Sequence, residues 1–400
     1  MKIATIIFTF NRPEHTKKTL DTLEKNEEKP EKLFIFQDGM KADTNKKEWE
    51  KVSEIIKKVV WCETEVQIRE KNYGLAKSVV GGIHYVLQYF DAVIVLEDDC
   101  STHPKFMTYM IQALNKYYFS EKIYSIGGCS WPVYLQNKEI DAYFCGRISS
   151  WGWGTWRNRW EQYEEDYTIL KRIKANPITN KRLGIWGSDL ESTLLGNISG
   201  KCDSWAVFWA LKVIEKEGIC LSPFESLVYN TGTDGSGTHT SMIRIDRKYR
   251  ETDNKEDYVL PSNITIEKNV EKEFQIHLKG LVAKDREKLL NQLLCKWVSY
   301  KTKGKKLKKL PDKIAVWGKG MLFDLLLEEY QGETEVAYII ESYPHSESYC
   351  GIPVIVCGQL PIEINIIVAL PFWIKEEIIY KVLKENIQAK LIWIDELIEG

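Results

Sequence analysis

The sequence predicts an α/β chain of two domains. Three observations carry the prediction: apolar runs that stop at polar residues, helix-favouring stretches between them, and a restart of the same alternation after residue 310. Residues 2–9 form the first run, which ends at Asn11-Arg12-Pro13, and Leu20 and Leu23 follow on a charged, helix-favouring segment. Leu33-Phe34-Ile35-Phe36 stops at Gln37-Asp38-Gly39, and Ala92-Val93-Ile94-Val95-Leu96 stops at Glu97-Asp98-Asp99. Helical stretches near 45–60 and 75–90 complete the pattern of a parallel sheet, in which ligands bind beyond the carboxyl ends of the strands. Those ends carry Asn11, Arg12, Asp38, Glu97, Asp98 and Asp99.

From 121 to 245 the periodicity loosens into aromatic-rich and glycine-rich stretches at 150–156, 202–205 and 230–239, which read as long binding loops. A charged, partly helical connecting region is expected over 246–310. A smaller α/β domain is expected over 311–400, with strands at 314–317, 335–340, 352–356, 364–369 and 391–394.

Composition narrows the classes. Lys and Arg total 55 against 57 Asp and Glu, a net charge of −2, which argues against a nucleic-acid binder working through bulk electrostatics. Nine cysteines, with no C-x-x-C pair and no zinc-finger spacing, read as a reduced, cytoplasmic protein. The N-terminus reads as a strand rather than a signal peptide, and no run of about 18 apolar residues is present. Membrane contact is therefore expected to be peripheral, on the inner face. The candidate is 286–310, where Leu289, Leu290, Leu293, Leu294 and Trp297 recur at helical spacing before a lysine-rich run from Lys301 to Lys309. A charged linker is the alternative reading.

Three adjacent carboxylates repel unless a hard cation or a hydrogen-bond donor is shared among them, so Glu97-Asp98-Asp99 suits Mn²⁺ or Mg²⁺. A solvated acidic strand end is the alternative. A divalent ion between such a carboxylate and a diphosphate neutralises a departing nucleotide. Lys77, one turn past Gly74, is a candidate for the diphosphate.

Seven motifs extend this reading: Thr9-Phe10-Asn11-Arg12-Pro13, Gln37-Asp38-Gly39, Asn72-Tyr73-Gly74-Leu75, Leu96-Glu97-Asp98-Asp99, Trp151 through Trp156, Asp203-Ser204-Trp205, and Asn230-Thr231-Gly232 through Gly237-Thr238-His239. In that order they resemble the GT-A glycosyltransferases, most nearly the branch containing the Golgi N-acetylglucosaminyltransferase I and bacterial polysaccharide sugar transferases. The resemblance covers residues 1–245 and implies a Rossmann-like nucleotide-diphospho-sugar transferase domain. It implies that Asp38 reads the uracil edge, that Arg12 and Asn11 contact the nucleotide, and that Glu97 and Asp98 lie near the ribose. Asp99 would bind the metal, with His239 completing its shell or touching the diphosphate, and Gly232–Gly237 would form a flexible lid.

Asp203 matches the position of the family's general base for an inverting transfer, with Asp189 and Glu191 as fallbacks. Its alternative is a helix N-cap before Trp205. Trp151 and Trp153, set among glycines, are the acceptor candidates, against a packed aromatic corner of the core. Residues 311–400 resemble small Rossmann-like modules appended to polysaccharide enzymes, although Phe323 replaces the third glycine of G-x-G-x-x-G. The expectation is a metal-dependent inverting glycosyltransferase that uses a nucleotide sugar, UDP-linked, to extend a lipid-linked glycan in surface polysaccharide or glycoprotein synthesis. An inactive glycan- or nucleotide-binding protein and a sugar nucleotidyltransferase are the competing classes.

Overall fold

A computed structural model describes residues 1–131, 139–234, 257–303, 307–319, 321–341, 346–364, 366–370, 378, 382, 385 and 387–397. The chain divides into two compact units, Met1–Val282 and Ala283–Gly400.

The first unit opens with β1 (Ile3–Thr9), α1 (Pro13–Glu24), β2 (Leu33–Gln37), α2 (Lys46–Ile56), β3 (Thr64–Ile68), α3 (Leu75–Leu87) and β4 (Ala92–Glu97). β1 reads as an unbroken apolar run because both of its faces are covered. Ala4, Ile6 and Phe8 enter one core, and Ile3 and Ile7 enter the other. Pro13 starts α1, where its missing N–H is no loss. Asn45 caps α2 by accepting from the N–H groups of Lys47 and Glu48. Gly74, at φ +80°, turns the chain into α3.

Next come β5 (Cys100–Thr102), α4 (Phe106–Lys116), β6 (Ile123–Gly127), β7 (Ala142–Cys145) and β8 (Trp153–Trp156). Helices α5 (Arg157–Trp160), α6 (Ile169–Ala175), α7 (Pro177–Trp186), α8 (Leu190–Ile198) and α9 (Trp205–Glu215) follow, then β9 (Ile219–Pro223), β10 (Val228–Asn230) and α10 (Lys268–Thr302). The eight-stranded sheet has the order β3-β2-β1-β4-β8-β6-β9-β7. Its first four strands are parallel; β8 then runs antiparallel to β4 and β6, and β7 antiparallel to β9. β5 and β10 form a separate antiparallel ribbon that pairs Asn230 with Cys100, one residue past Asp99.

Two expectations are corrected here. The described part of the 121–245 stretch is largely regular, with helices α5 to α9 packed on one sheet face. Of the 246–310 stretch, the described residues 257–303 do not form a separate connecting region. Val270, Phe274 and Leu278 are buried in the first unit, whereas Leu293 and Trp297 belong to the core of the second. Of the apolar stripe offered for a lipid surface, Leu293 and Trp297 are buried at 3% and 4% exposure, and Leu290 and Leu294 are half-buried against the same core. Among the described residues no helix is long and apolar enough to cross a membrane.

The second unit contains β11 (Lys313–Trp317), α11 (Met321–Glu329), β12 (Glu335–Ile340), β13 (Ser348–Tyr349), β14 (Ile352–Ile355), β15 (Ile366–Ala369) and β16 (Lys390–Trp393). Strands β14, β12, β11, β15 and β16 are parallel in that order, and β13 is an antiparallel edge.

Candidate active site

The carboxyl ends of β1, β2 and β4 deliver their polar residues to one cavity of about 600 Å³, lined by Asn11, Arg12, Asp38 and the triplet Glu97, Asp98 and Asp99. Arg12 Nε donates to Asp98 Oδ2 at 3.2 Å, and Arg12 Nη2 contacts Asp98 Oδ1 and donates to Asp99 Oδ2 at 2.9 Å. Asp99 Oδ1 accepts from Asn230 Nδ2 at 3.2 Å, and the Asn230 carboxamide oxygen accepts from the N–H of Gly232 at 2.8 Å. The backbone N–H of Thr231 closes the same junction on the Asp99 carbonyl at 2.8 Å.

One guanidinium faces three carboxylates. Burial, then the charges of Asp99 and Asp98, push Glu97 up to about 8, against the pull of Arg12. Burial also raises Asp98, opposed chiefly by Arg12. Burial would lower Arg12, but Asp98 and Asp99 outweigh it and hold the guanidinium above its usual range. A further cation at the cluster would oppose the burial and mutual repulsion that raise Glu97 and Asp98.

The donor set fits a hard divalent ion, since Asp99 offers carboxylate oxygen. Among the described residues no group of three or more His, Cys, Asp or Glu side chains is placed to hold a metal ion. Oxygens of a bound ligand would have to complete the shell, as is common for Mg²⁺ sites built on one or two carboxylates and substrate phosphates. His239 lies outside the described residues, as do residues 235–237 of the expected lid.

Asp38 joins two motifs that are distant in sequence. Its carboxylate accepts from the N–H groups of Gly39, Tyr73 and Gly74, all at 3.0 Å, with a second Tyr73 contact at 3.2 Å. Asn72 Nδ2 donates to the Gly39 carbonyl at 2.7 Å. A Cβ at Gly39 would stand 2.3 Å from the Lys71 backbone, so only glycine fits. With both oxygens engaged by backbone donors, Asp38 is a brace for the 72–74 loop rather than a free acceptor for a uracil edge.

Asp203 is exposed and is not itself part of the cavity wall, although its neighbours Cys202, Ser204 and Trp205 are; its Oδ2 accepts from the N–H of Ala76 at 3.1 Å in the first turn of α3. The N-cap alternative is thus half correct: Asp203 caps α3, while Ser204 holds the N-cap position of α9 without a side-chain hydrogen bond. Asp189 is unsuited as a base because Arg147 clamps it through two hydrogen bonds at 2.8 and 3.1 Å. Glu191 pairs with Lys174 at 2.5 Å and does not line the cavity. Lys77 is exposed on α3 and also lies off the cavity wall.

Trp151 lines the cavity, but Trp153 does not. Trp153 is fully buried, stacked on Trp205 with ring centroids 5.0 Å apart, and is withdrawn as an acceptor residue. The cavity wall instead includes Trp131 and Arg147, with the guanidinium 5.6 Å from the Trp131 ring centroid. Sequence reasoning missed both. Arg147 follows the short strand β7, so the rule that flagged Asp38 and Asp99, polar residues after an apolar run, would have found it had that strand been recognised; Trp131, beyond β6, carries no such signal.

No protein family and no curated protein matches the sequence. Solved structures do. TarS of S. aureus, residues 1–349, is 12% identical over 58% of this chain and 61% of that one, with a TM-score of 0.34. The mannosyltransferase PcManGT from Pyrobaculum calidifontis, in complex with GDP-Man and Mn²⁺, is 10% identical over 32% of this chain and 35% of that one, with a TM-score of 0.26. Glucosyl-3-phosphoglycerate synthase from Mycobacterium tuberculosis, in complex with Mn²⁺, UDP and glucosyl-3-phosphoglycerate, is 12% identical over 39% of this chain and 57% of that one, with a TM-score of 0.26. The chain thus spans between about a third and three-fifths of the length of these proteins.

Proposed function

We propose that the first unit is an inverting glycosyltransferase that takes a sugar from a nucleotide-diphosphate donor, UDP-linked, and passes it to a glycan acceptor. The observation that carries the reading is a single cavity whose wall includes Arg12 and the Glu97–Asp99 triplet together with Trp131, Arg147 and Trp151, while Asp203 is held beside the N-terminus of α3. Charged groups suit a diphosphate, and aromatic faces suit the C–H-rich side of a sugar ring.

In this reading Asp99 would hold Mn²⁺ or Mg²⁺, which would supply positive charge to a departing diphosphate. Arg12 adds a second positive charge on the nucleotide side. Asp38 shapes the base site through the loop it braces. Asp203 accepts the acceptor hydroxyl's proton as that oxygen attacks the anomeric carbon, with its second oxygen free of the Ala76 bond. Trp151 and Trp131 offer stacking surfaces to the acceptor. A lipid-linked glycan acceptor, surface polysaccharide or glycoprotein synthesis as the setting, and a site of action at the inner membrane face belong to the same proposal. The parallel order of β14, β12, β11, β15 and β16, with Lys319 and Glu341 paired at 3.0 Å, supports reading the second unit as a small Rossmann-like module.

The test is incubation with UDP- and GDP-sugars and Mn²⁺, reading nucleoside diphosphate release and the anomeric configuration of the product by proton NMR. The proposal expects release from a UDP-sugar with inversion. Retention of configuration would remove Asp203 from its role, and no release from any donor, with or without glycan acceptors, would contradict the transferase reading.

A further inference from the structure

The proposed reaction requires Asp99 to take a divalent cation, yet both of its oxygens already have partners. Oδ1 is held by Asn230 and Oδ2 by Arg12 at 2.9 Å. Gly232 leaves room beside the same pair: a Cβ there would stand 2.5 Å from Asp99 Oδ2 and 3.2 Å from Arg12 Nη1, so a side chain at 232 would disturb the contact. A hard cation bonded to a carboxylate oxygen sits about 2.0–2.6 Å from it. At Oδ2 it would therefore lie against the guanidinium, two positive charges in a site shielded from water. Arg12 cannot simply leave. Its side chain is only 23% exposed, and it neutralises Asp98 as well as Asp99. A buried guanidinium without an anion is costly, so it moves only toward another anion. A diphosphate is a good replacement, since guanidinium binds phosphate oxygens in bidentate fashion.

We propose that Arg12 is a latch on Asp99. Without a donor it occupies the carboxylate and keeps the divalent cation out; a diphosphate arriving in the cavity draws the guanidinium away and opens Asp99 to the metal. The inference rests on the nucleotide-sugar reading of the cavity. It makes metal and nucleotide bind as a coupled pair, each strengthening the other by the same factor, so the cation does not settle in an empty site.

The experiment is an Mn²⁺ titration followed by electron paramagnetic resonance, on the full chain and on Arg12→Gln and Arg12→Lys, each without nucleotide and with UDP or GDP, alongside thermal melting. The parent is expected to bind Mn²⁺ weakly alone and much more tightly with nucleotide. Arg12→Gln is expected to bind Mn²⁺ alone more tightly than the parent, by on the order of tenfold, and to lose a similar factor of the nucleotide coupling. Arg12→Lys keeps the charge and stays near the parent without nucleotide. A folded Arg12→Gln whose metal affinity alone equals the parent's would overturn the latch, while leaving the nucleotide-sugar reading intact if nucleotide still promotes Mn²⁺ binding. If Arg12→Gln does not fold, the parent decides: equal Mn²⁺ affinity with and without nucleotide overturns the latch. No Mn²⁺ binding under any condition, in parent or variants, overturns both readings.

Discussion

Asp203 Oδ2 accepts the backbone N–H of Ala76 at 3.1 Å, joining residues 127 apart and fixing the proposed base against the first turn of α3. Base and helix start are therefore one feature. Asp203→Asn keeps a hydrogen-bond acceptor but not a proton acceptor; it is expected to fold and bind donor like the parent while losing about 10²–10⁴-fold in transfer rate. Asp203→Ala loses the cap as well and is expected to be less stable by about 0.5–2 kcal/mol. Rate measurement with thermal melting on both variants separates the two roles. Parental turnover by Asp203→Asn would end its assignment as base.

The Asp38 carboxylate is the brace between the end of β2 and the start of α3. Asp38→Ala strands the N–H of Tyr73 and leaves that of Gly74 to Asn72 Oδ1 alone, which is expected to cost about 1–3 kcal/mol of stability and to weaken nucleotide binding. Asp38→Asn retains one acceptor oxygen and is expected to fall between. Urea unfolding combined with nucleotide titration reads both effects. Weakened binding with no change in stability would instead make Asp38 a direct ligand of the base.

Trp151 and Trp153 stand two residues apart and are expected to behave differently. Trp153 is packed against Trp205 and Trp160, so Trp153→Ala should lose about 3–5 kcal/mol of stability. Trp151 borders the cavity, so Trp151→Ala should stay folded and raise the acceptor KM with little change for the donor. The opposite pattern would exchange their roles.

Asn230 touches Asp99 but is not itself proposed as a metal ligand. Asn230→Ala removes the bond that orients Asp99 Oδ1 and the one that receives Gly232 N–H, and is expected to weaken metal affinity by about 10–100-fold. An Mn²⁺ titration in the presence of nucleotide checks this. Unchanged affinity would show that Arg12 and the backbone orient Asp99 without it.

The parallel half of the sheet was legible because β1, β2 and β4 are covered on both faces and so read as unbroken apolar runs ending in polar residues. The strands of the second unit were legible for the same reason. The helices α5 to α8 were not, because they are short, closely spaced and flanked by aromatic residues that resemble loop content. Trp153 was misjudged because its glycine neighbours suggested a loop. In strand β8 the two-residue period sends Trp153 into one core and Trp156 into the other. The Asp38 brace and the Arg12–Asp99 pair were beyond local pattern, since their partners lie 35 and 87 residues away.

The central claim is that this cavity binds a nucleoside diphosphate through a metal on Asp99. Calorimetric titration of the full chain with UDP and with GDP, each with and without Mn²⁺, and again on Asp99→Ala, tests it most directly. The account predicts UDP binding that requires Mn²⁺, vanishes with EDTA and is lost in Asp99→Ala although that variant remains folded. Nucleotide binding that is indifferent to metal and to Asp99, or no binding under any condition, would contradict it.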